Sequence, residues 1–378
     1  MADINELEKI LRYIEENIRV TEQTSIEYID PRGHKNRLKY KQNQVVFGRR
    51  GSGKSLLLKS IKEKNDEFVG LHVNLEDYKD ISFPDSIIQI LRALMKQLKK
   101  NITNKYKIYK LKDWFKGRLI SKALNKQIKK LSERLYDPDN FDESVKTKSG
   151  KKKKAKSKLE LIKSSTSAEY ENNEEKEVSR SLNIDKLKIL RNEISDFKEL
   201  IQEVYEYIKK PLFLILDDFY FIKRSDQPFL IDYFHKLCKN TEMYFKVATI
   251  KHRSSFYLKS ESYIGIELTQ DAQSIDLDYN LERLDSLIDF MKSLIVHIKN
   301  KVNAKIEIDT LFTDNAFKFL CLASGGVPRD FLALFLKIGN KIREGTESIT
   351  KPLVIEISMQ NLPNKMDSFK TDTDKEGE

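Results

Sequence analysis

The chain has 378 residues, 39% of them apolar, with 69 lysines and arginines against 58 aspartates and glutamates. This length allows one large or two modest globular domains, and two distant cysteines, Cys238 and Cys321, predict neither a disulfide framework nor a zinc module. An acidic amphipathic N-terminus, with no apolar run near the ~18 residues of a membrane span, argues against secretion and membrane insertion and favours a cytoplasmic protein.

The net charge of +11 is concentrated in one part of the chain. Residues 96–158 hold 22 basic and six acidic residues, a local charge of +16, so the other 315 residues sum to −5. The body is therefore mildly acidic, and the charge that would indicate nucleic acid belongs to a separate module.

Strands and helices alternate at the start of the chain. Residues 44–47 predict a short strand, 55–64 a helix with an apolar stripe, 68–74 a buried strand and 84–100 a second helix. Two successive β-α steps favour a parallel sheet.

A basic insertion at about 101–183 interrupts this alternation. Its first part is broken by aromatic residues, whereas 146–183 is rich in lysine, serine and glutamate and predicts a disordered loop. The aromatic residues are Tyr106, Tyr109, Trp114 and Phe115.

The second half of the chain continues the alternation and then becomes helical. The predicted elements are an amphipathic helix over 184–208, strands at 212–216, 244–250 and 264–268, and helices at 228–239, 278–300, 312–323 and 327–343. We therefore predict an α/β fold, a parallel sheet of five strands flanked by helices, followed by an α-helical domain. The predicted domains are an N-terminal helical extension (1–40), an interrupted α/β domain (41–272), a helical lid (273–363) and a flexible tail (364–378).

Residues 48–55, GRRGSGKS, fit the phosphate-loop pattern G-x-x-x-x-G-K-[ST] between a predicted strand and a predicted helix. Its glycines would let the backbone curl so that successive N–H groups cradle phosphate oxygens. Lys54 would bridge the β- and γ-phosphates of ATP, and the Ser55 hydroxyl would coordinate Mg²⁺. The predicted nucleotide-binding residues are Gly48, Gly51, Ser52, Gly53, Lys54 and Ser55. The alternative is a glycine-rich turn followed by a chance Lys-Ser.

Two carboxylates follow the apolar run 212–216. We interpret Asp217 as the residue that holds Mg²⁺ through water, and Asp218 as the residue that polarises the attacking water. The alternative is that Asp-Asp ends a strand as ordinary turn residues.

Together these motifs resemble an AAA+ P-loop ATPase, in particular the prokaryotic relatives of the origin-recognition and initiator ATPases. The resemblance covers about residues 40–345, with the insertion excluded. It implies that Thr249, in KVATIKHRSS, senses the γ-phosphate, and that Arg329, in GGVPRD, is a second sensor at a helix start of the lid. An ordinary strand threonine and a solvated helix-start arginine remain the alternatives.

The resemblance also bears on catalysis. Arg253 and Arg224 are candidates for an arginine finger that reaches a neighbouring subunit; we prefer Arg253, which follows the sensor strand, and a surface role remains open. Asp217-Asp218 departs from the Asp-Glu of initiator members and matches the STAND class of switch ATPases. This departure favours a slow, nucleotide-gated switch.

The basic module has two interpretations. Residues 96–158 are a candidate for DNA or RNA binding, with lysines beside stacking rings and a flexible arm at Lys151 to Lys154. Alternatively, the lysines solubilise a linker and the aromatic rings pack the insertion onto the core. None of the five histidines shows metal-ligand spacing.

The sequence thus predicts an ATPase that binds Mg²⁺ and ATP, hydrolyses ATP slowly and acts as a nucleotide-gated switch or assembly factor. The expected setting is nucleic acid or a defence-type complex, with a homo-oligomer or a partner effector protein. The alternative is a nucleic-acid-binding scaffold with a structural nucleotide site that does not turn over.

Overall fold

The computed structural model describes residues 4–18, 27–62, 67–106, 111–136, 186–259, 263–279, 281–313, 315–345 and 348–373. The strands are β1 (Gln44–Phe47), β2 (Val69–Asn74), β3 (Leu212–Asp217), β4 (Met243–Thr249), β5 (Tyr257–Lys259), β6 (Tyr263–Gly265) and β7 (Gln273–Asp276). The helices are α1 (Ile4–Asn17), α2 (His34–Leu38), α3 (Lys54–Lys62), α4 (Asp85–Tyr106), α5 (Leu111–Tyr136), α6 (Ile194–Ile208), α7 (Gln227–Cys238), α8 (Leu284–Lys301), α9 (Ala316–Ala323), α10 (Pro328–Arg343) and α11 (Lys351–Thr373).

The chain forms two compact units. The first unit comprises Met1–Tyr40, Val46–Glu63 and Ile275–Glu378, and the second unit comprises Lys41–Val45 and Lys64–Ser274. Within the described ranges, no helix combines the length and the apolar character needed to cross a bilayer.

Five strands form one sheet in the order β2-β3-β4-β1-β7, flanked by helices. β3 pairs in parallel with both β2 and β4, with Asn74 opposite Asp217 and Leu216 opposite Val247. Every residue of β3 is buried, as expected for a parallel strand covered on both faces. The predicted α/β fold is confirmed, and its arrangement is compatible with a P-loop fold.

The predicted fifth core strand is wrong. Residues 264–268 were expected in the main sheet, but β6 pairs with β5 in a separate antiparallel ribbon, and β7 is the fifth strand of the main sheet. Gly265 has a φ of 119°, which a regular parallel strand does not accommodate. The sequence did not predict β7, because only Ile275 of its four residues is buried.

The helical part of the second unit holds the described half of the basic module. α4 and α5 pack against each other between β2 and β3 in chain order, and α5 also contacts α6. α4 continues through Tyr106 rather than ending near residue 100, because Ile102 extends its buried face. The expected loop at 146–183 lies outside the described residues.

One apolar core holds the first unit together. Side chains of α1 pack with those of α8 to α11 in a single cluster, and Gly339 of α10 lies so near Leu11 of α1 that a β-carbon there would be 2.5 Å from its methyl groups. α11 extends to Thr373, past Asn364, where the sequence predicts the start of a flexible tail.

Candidate functional site

The phosphate-loop motif connects β1 to α3 in the first unit, and α3 begins at Lys54. Gly51 and Gly53 have φ values of 87° and 96°, a left-handed backbone that favours glycine. Gly48 is required for another reason, since a β-carbon there would lie 2.3 Å from the Ser52 hydroxyl oxygen. All three glycines of the motif are therefore needed by the observed geometry.

Two polar side chains of the loop are buried. The Lys54 ammonium donates hydrogen bonds to the carbonyl oxygens of Gly48 and Arg49, at 2.8 and 3.0 Å. The Ser52 Oγ is buried and has no hydrogen-bond partner among the described residues. An unsatisfied buried hydroxyl costs about 1–3 kcal/mol, so this oxygen is a place where a polar ligand atom would be stabilising.

Arg329 lies against the phosphate loop within the first unit. Its backbone N–H donates to the Gly51 carbonyl at 3.3 Å, and a β-carbon at Gly51 would be 2.9 Å from both Cβ and Nε of Arg329. The structure therefore brings this predicted sensor residue to the loop. Ser55 is half-buried at the second position of α3.

Arg49 links the loop to two distant parts of the first unit, a role that the sequence alone did not indicate. Its backbone N–H donates to both carboxylate oxygens of Asp278, at 3.0 and 3.2 Å, and its Nε lies 3.5 Å from Asp278 Oδ1. Its Nη2 donates to the Gly325 carbonyl at 2.6 Å, in the turn that precedes α10. Asp278 lies two residues after the end of β7, so only a correct assignment of that strand would have suggested the contact.

A small aromatic cavity lies beside the loop in the first unit. Its lining includes Tyr28, Arg32, His34, Ser52 and Tyr279. The Arg32 guanidinium stacks 4.2 Å above the Tyr279 ring. Burial lowers the pKa of His34 to about 4, and Arg32 adds to this effect, so the imidazole is neutral at neutral pH. Burial also raises the pKa of Tyr28.

In the second unit, the predicted metal residue Asp217 and the predicted γ-phosphate sensor Thr249 end neighbouring strands. Asp217 is the last residue of β3 and is buried, and its Oδ1 accepts from the Asp218 N–H at 2.9 Å. Asp218 has a left-handed backbone, with a φ of 54°. Thr249 ends β4, is fully buried and shares a short hydrogen bond with the Ser254 hydroxyl. Because parallel strands end at one edge of a sheet, Asp217 and Thr249 lie at the same edge.

His72 of β2 is a further residue beside Asp217 that the sequence did not single out. Its Nε2 lies 3.7 Å from Asp217 Oδ2, and its backbone is held by Gln97 of α4, which accepts from the His72 N–H and donates to its carbonyl. Among the described residues, no three histidine, cysteine, aspartate or glutamate side chains cluster as a metal cage. Mg²⁺ on a triphosphate usually needs only one or two carboxylates besides phosphate and water.

The two candidate arginine fingers, Arg253 and Arg224, lie in the second unit. The Arg253 guanidinium lies 4.9 Å above the Tyr220 ring, and Arg224 is exposed. The fully buried Gln227 holds the Arg253 segment, because its amide donates to the Arg253 carbonyl and its oxygen accepts from the Ser255 N–H. Gln227 thus fixes the backbone around Arg253, a contact that the sequence alone did not indicate.

The α4–α5 hairpin forms a basic cleft of about 400 Å³. α4 contributes Lys96, Lys99 and Lys100, and the Lys99 ammonium donates to Asn125 of α5 at 2.9 Å. The helical spacing places Trp114 and Arg118 on the same side of α5 as Asn125. The Arg118 guanidinium lies 5.1 Å above the Trp114 ring.

Other basic residues of the hairpin serve packing. Lys130 and Arg134 form ion pairs and hydrogen bonds with Glu193. Burial raises the pKa of Glu193, but the hydrogen bonds from Arg134 and Lys130 outweigh burial and hold the pKa below its usual value. Lys105 donates to two carbonyls at the end of α6. The Tyr106 backbone ends α4, while Tyr109 and the lysine run at 151–154 lie outside the described residues.

No protein-family model matches the chain, and no curated protein matches it. The class that the structure defines is an α/β fold with a five-stranded parallel sheet. Function is therefore inferred from the geometry of the chain's own residues.

Proposed function

We propose that this protein is an AAA+ ATPase that binds ATP with Mg²⁺, hydrolyses it slowly and acts as a nucleotide-gated switch or assembly factor. The observation that carries the proposal is the geometry of the loop from Gly48 to Ser55: glycines at the positions that require them, a buried lysine and a buried serine hydroxyl without a partner. Curled loops of this kind at a helix N-terminus bind phosphate.

Each predicted residue then has a role. The loop N–H groups and Lys54 bind the phosphates, and Ser55 and Asp217 hold Mg²⁺. Asp218 polarises the attacking water, while Thr249 and Arg329 respond to the γ-phosphate. Arg253 would serve as an arginine finger only in a homo-oligomer.

The lid of such a switch would be the helical domain that contains α10. Arg49 of the loop donates a hydrogen bond to the Gly325 carbonyl, in the turn that precedes α10, and Arg329 of α10 donates one to the Gly51 carbonyl of the loop. A ligand that moves the loop would therefore also shift α10. The bound state would be read by nucleic acid or by a partner effector protein.

Changing Gly51 to alanine tests the loop geometry. We expect Gly51→Ala to weaken ATP binding by about tenfold or more, because the added methyl group would collide with Arg329 and distort the loop. Gly345→Ala is the matched control: its φ of 110° imposes the same backbone strain, but nothing lies within 4 Å of its β-carbon. Equal ATP affinity in the two variants, measured by calorimetric titration, would contradict the proposal.

A second candidate function, nucleic-acid binding, is favoured by the basic cleft of the α4–α5 hairpin. Its lysines can neutralise phosphates, and Trp114 with Arg118 offers a stacking surface for an unpaired base. In this alternative, the protein is a scaffold and the nucleotide site is structural.

The salt dependence of nucleic-acid binding tests this candidate. We expect the double change of Lys96 and Lys100 to glutamine to lower the slope of log affinity against log salt by about 1.5, since each lost phosphate contact removes about 0.7–0.9. The same change at Lys236 and Lys239, which are also exposed in the second unit, should leave the slope unaltered. Fluorescence anisotropy with single-stranded DNA and RNA gives the slopes; equal slopes for both double variants would exclude the cleft as the binding surface.

A further inference from the structure

Helix α5 exposes two large apolar side chains on the side that faces away from the core of the second unit. Phe115 and Leu119 are 55% and 68% exposed, and they lie about one helical turn apart. Trp114 contacts the Phe115 ring edge-on, with 4.9 Å between the ring centroids. Neighbouring exposed apolar side chains of this size indicate an interaction surface.

Positive charge surrounds this apolar pair. At about 100° per residue, Arg118, Lys122 and Lys126 lie within about 60° of Phe115 around the helix axis, and all three are exposed. We call these five residues the outer face of α5. Lys122 and Lys126 form no ion pair with any residue in the described ranges, and the Arg118 guanidinium lies over the Trp114 ring.

Acidic residues of the hairpin do not neutralise the outer face. Residues 115–126 contain four basic residues and no acidic residue, and α4 has no acidic residue after Asp85. Asp113 lies about 160° from Phe115, on the opposite side of α5. Glu133, further along the helix, is 3.9 Å from the Lys129 ammonium, which balances its charge. A ligand that meets the outer face therefore meets positive charge and apolar surface together.

The opposite side of α5 holds the helix in place. Ile120, Leu124 and Leu131 are almost fully buried, and α5 contacts α4 and α6. The outer face is thus presented to solvent by a helix that is already folded, so a partner could dock on it without the cost of ordering it. A helix packed in this way can lie on a bilayer surface.

We propose that the outer face of α5 docks on the surface of a bilayer that contains anionic phospholipids. Phe115 and Leu119 enter the interfacial region, while the three cations lie beside the headgroup phosphates. Large apolar residues beside lysine and arginine on one helix are typical of helices that bind anionic membrane surfaces. This proposal is independent of the nucleotide site.

Two other occupants fit the outer face less well. A nucleic acid would contact the cations but leave the exposed Leu119 unused, because an aliphatic side chain offers no stacking surface. A second copy of the chain would bring like charges together, which is unfavourable. An anionic bilayer uses both the apolar pair and the charge.

Co-sedimentation with vesicles tests the docking. The parent should bind vesicles of phosphatidylcholine mixed with phosphatidylserine, and not vesicles of phosphatidylcholine alone. The double change Phe115→Ser and Leu119→Ser should lower the partition coefficient about tenfold or more, because both apolar contacts are lost. The matched control is Met359→Ser with Leu362→Ser on α11, whose side chains are 69% and 55% exposed, and it should bind like the parent.

Circular dichroism should show both double variants folded like the parent, because all four side chains are exposed. A parent that binds neither kind of vesicle, or binds both equally, would overturn the proposal. So would an outer-face variant that binds like its α11 control.

A pair of charge variants tests the role of the cations. Lys122→Gln with Lys126→Gln should lower the partition coefficient about 25-fold, since each cation near an anionic surface contributes about fivefold. Lys122→Arg with Lys126→Arg keeps both charges and should bind like the parent. If the glutamine variant also binds like the parent, the surface is not an anionic-lipid surface and the proposal is wrong.

Tryptophan fluorescence distinguishes entry into the bilayer from binding of nucleic acid. Trp114 is the single tryptophan of the chain and contacts Phe115, so phosphatidylserine vesicles with brominated acyl chains should quench its emission. Vesicle-bound protein without quenching would contradict the entry of Phe115 and Leu119. A parent that ignores vesicles, together with an outer-face variant that loses affinity for single-stranded DNA, would assign this face to nucleic acid and overturn the proposal.

Discussion

Asp218→Asn is expected to lower the rate of ATP hydrolysis by about 100- to 1000-fold, the usual effect of removing a group that activates a nucleophile. Asparagine has nearly the same shape and, like aspartate, tolerates the left-handed backbone that Asp218 adopts with a φ of 54°. The hydrogen bond from the backbone N–H of residue 218 to Asp217 would also remain. The variant should therefore fold and bind ATP normally, and lose only the negative charge that polarises water.

Measuring phosphate release together with ATP affinity distinguishes water activation by Asp218 from a purely structural role in the turn. Asp226→Asn, a change of the same kind before α7 in the second unit, should hydrolyse ATP at the parental rate. If Asp218→Asn retains the parental rate, Asp218 is an ordinary turn residue and the proposed water activation is wrong.

The local patterns of the sequence predicted most of the sheet and the phosphate loop. LFLIL is a continuous apolar run, and the fully buried β3 confirms the strand that it predicts. The glycines of the loop were predicted from spacing alone, and the positive φ values of Gly51 and Gly53 agree with that expectation. In both cases the signal lies within a few consecutive residues.

Features that depend on distant residues were not predictable. The hydrogen bond from Arg49 to Asp278 joins residues that are 229 positions apart, and the approach of His72 to Asp217 depends on the pairing of β2 with β3. β7 has too few buried residues to stand out, because it is an edge strand of the sheet. Edge strands and long-range contacts leave little mark on local periodicity.

The roles of individual residues in the basic module, residues 96–158, were also not predictable from the sequence. Its charge was evident from composition, but composition could not separate Lys130 and Arg134, which pair with Glu193, from the lysines of the cleft. The paired residues can be told apart from the lysines of the cleft only from the way α4, α5 and α6 pack against one another.

Lys54→Ala is expected to weaken ATP binding by about 100-fold or more, equivalent to about 2.7 kcal/mol. The buried Lys54 ammonium is the side chain that we propose binds the β- and γ-phosphates, and charge-assisted hydrogen bonds to phosphate are the strong ones. The variant also removes the donor to the Gly48 and Arg49 carbonyls, so its unfolding temperature should be measured beside its affinity. Lys59→Ala, further along α3, is the matched control and should bind ATP like the parent.

Calorimetric titration of the parent and of Lys54→Ala with ATP in the presence of Mg²⁺ tests the central claim most directly. We expect saturable binding at one site per chain in the parent and its loss in a folded Lys54→Ala variant. A parent protein that does not bind ATP, or a variant that binds it as tightly as the parent, would contradict the account.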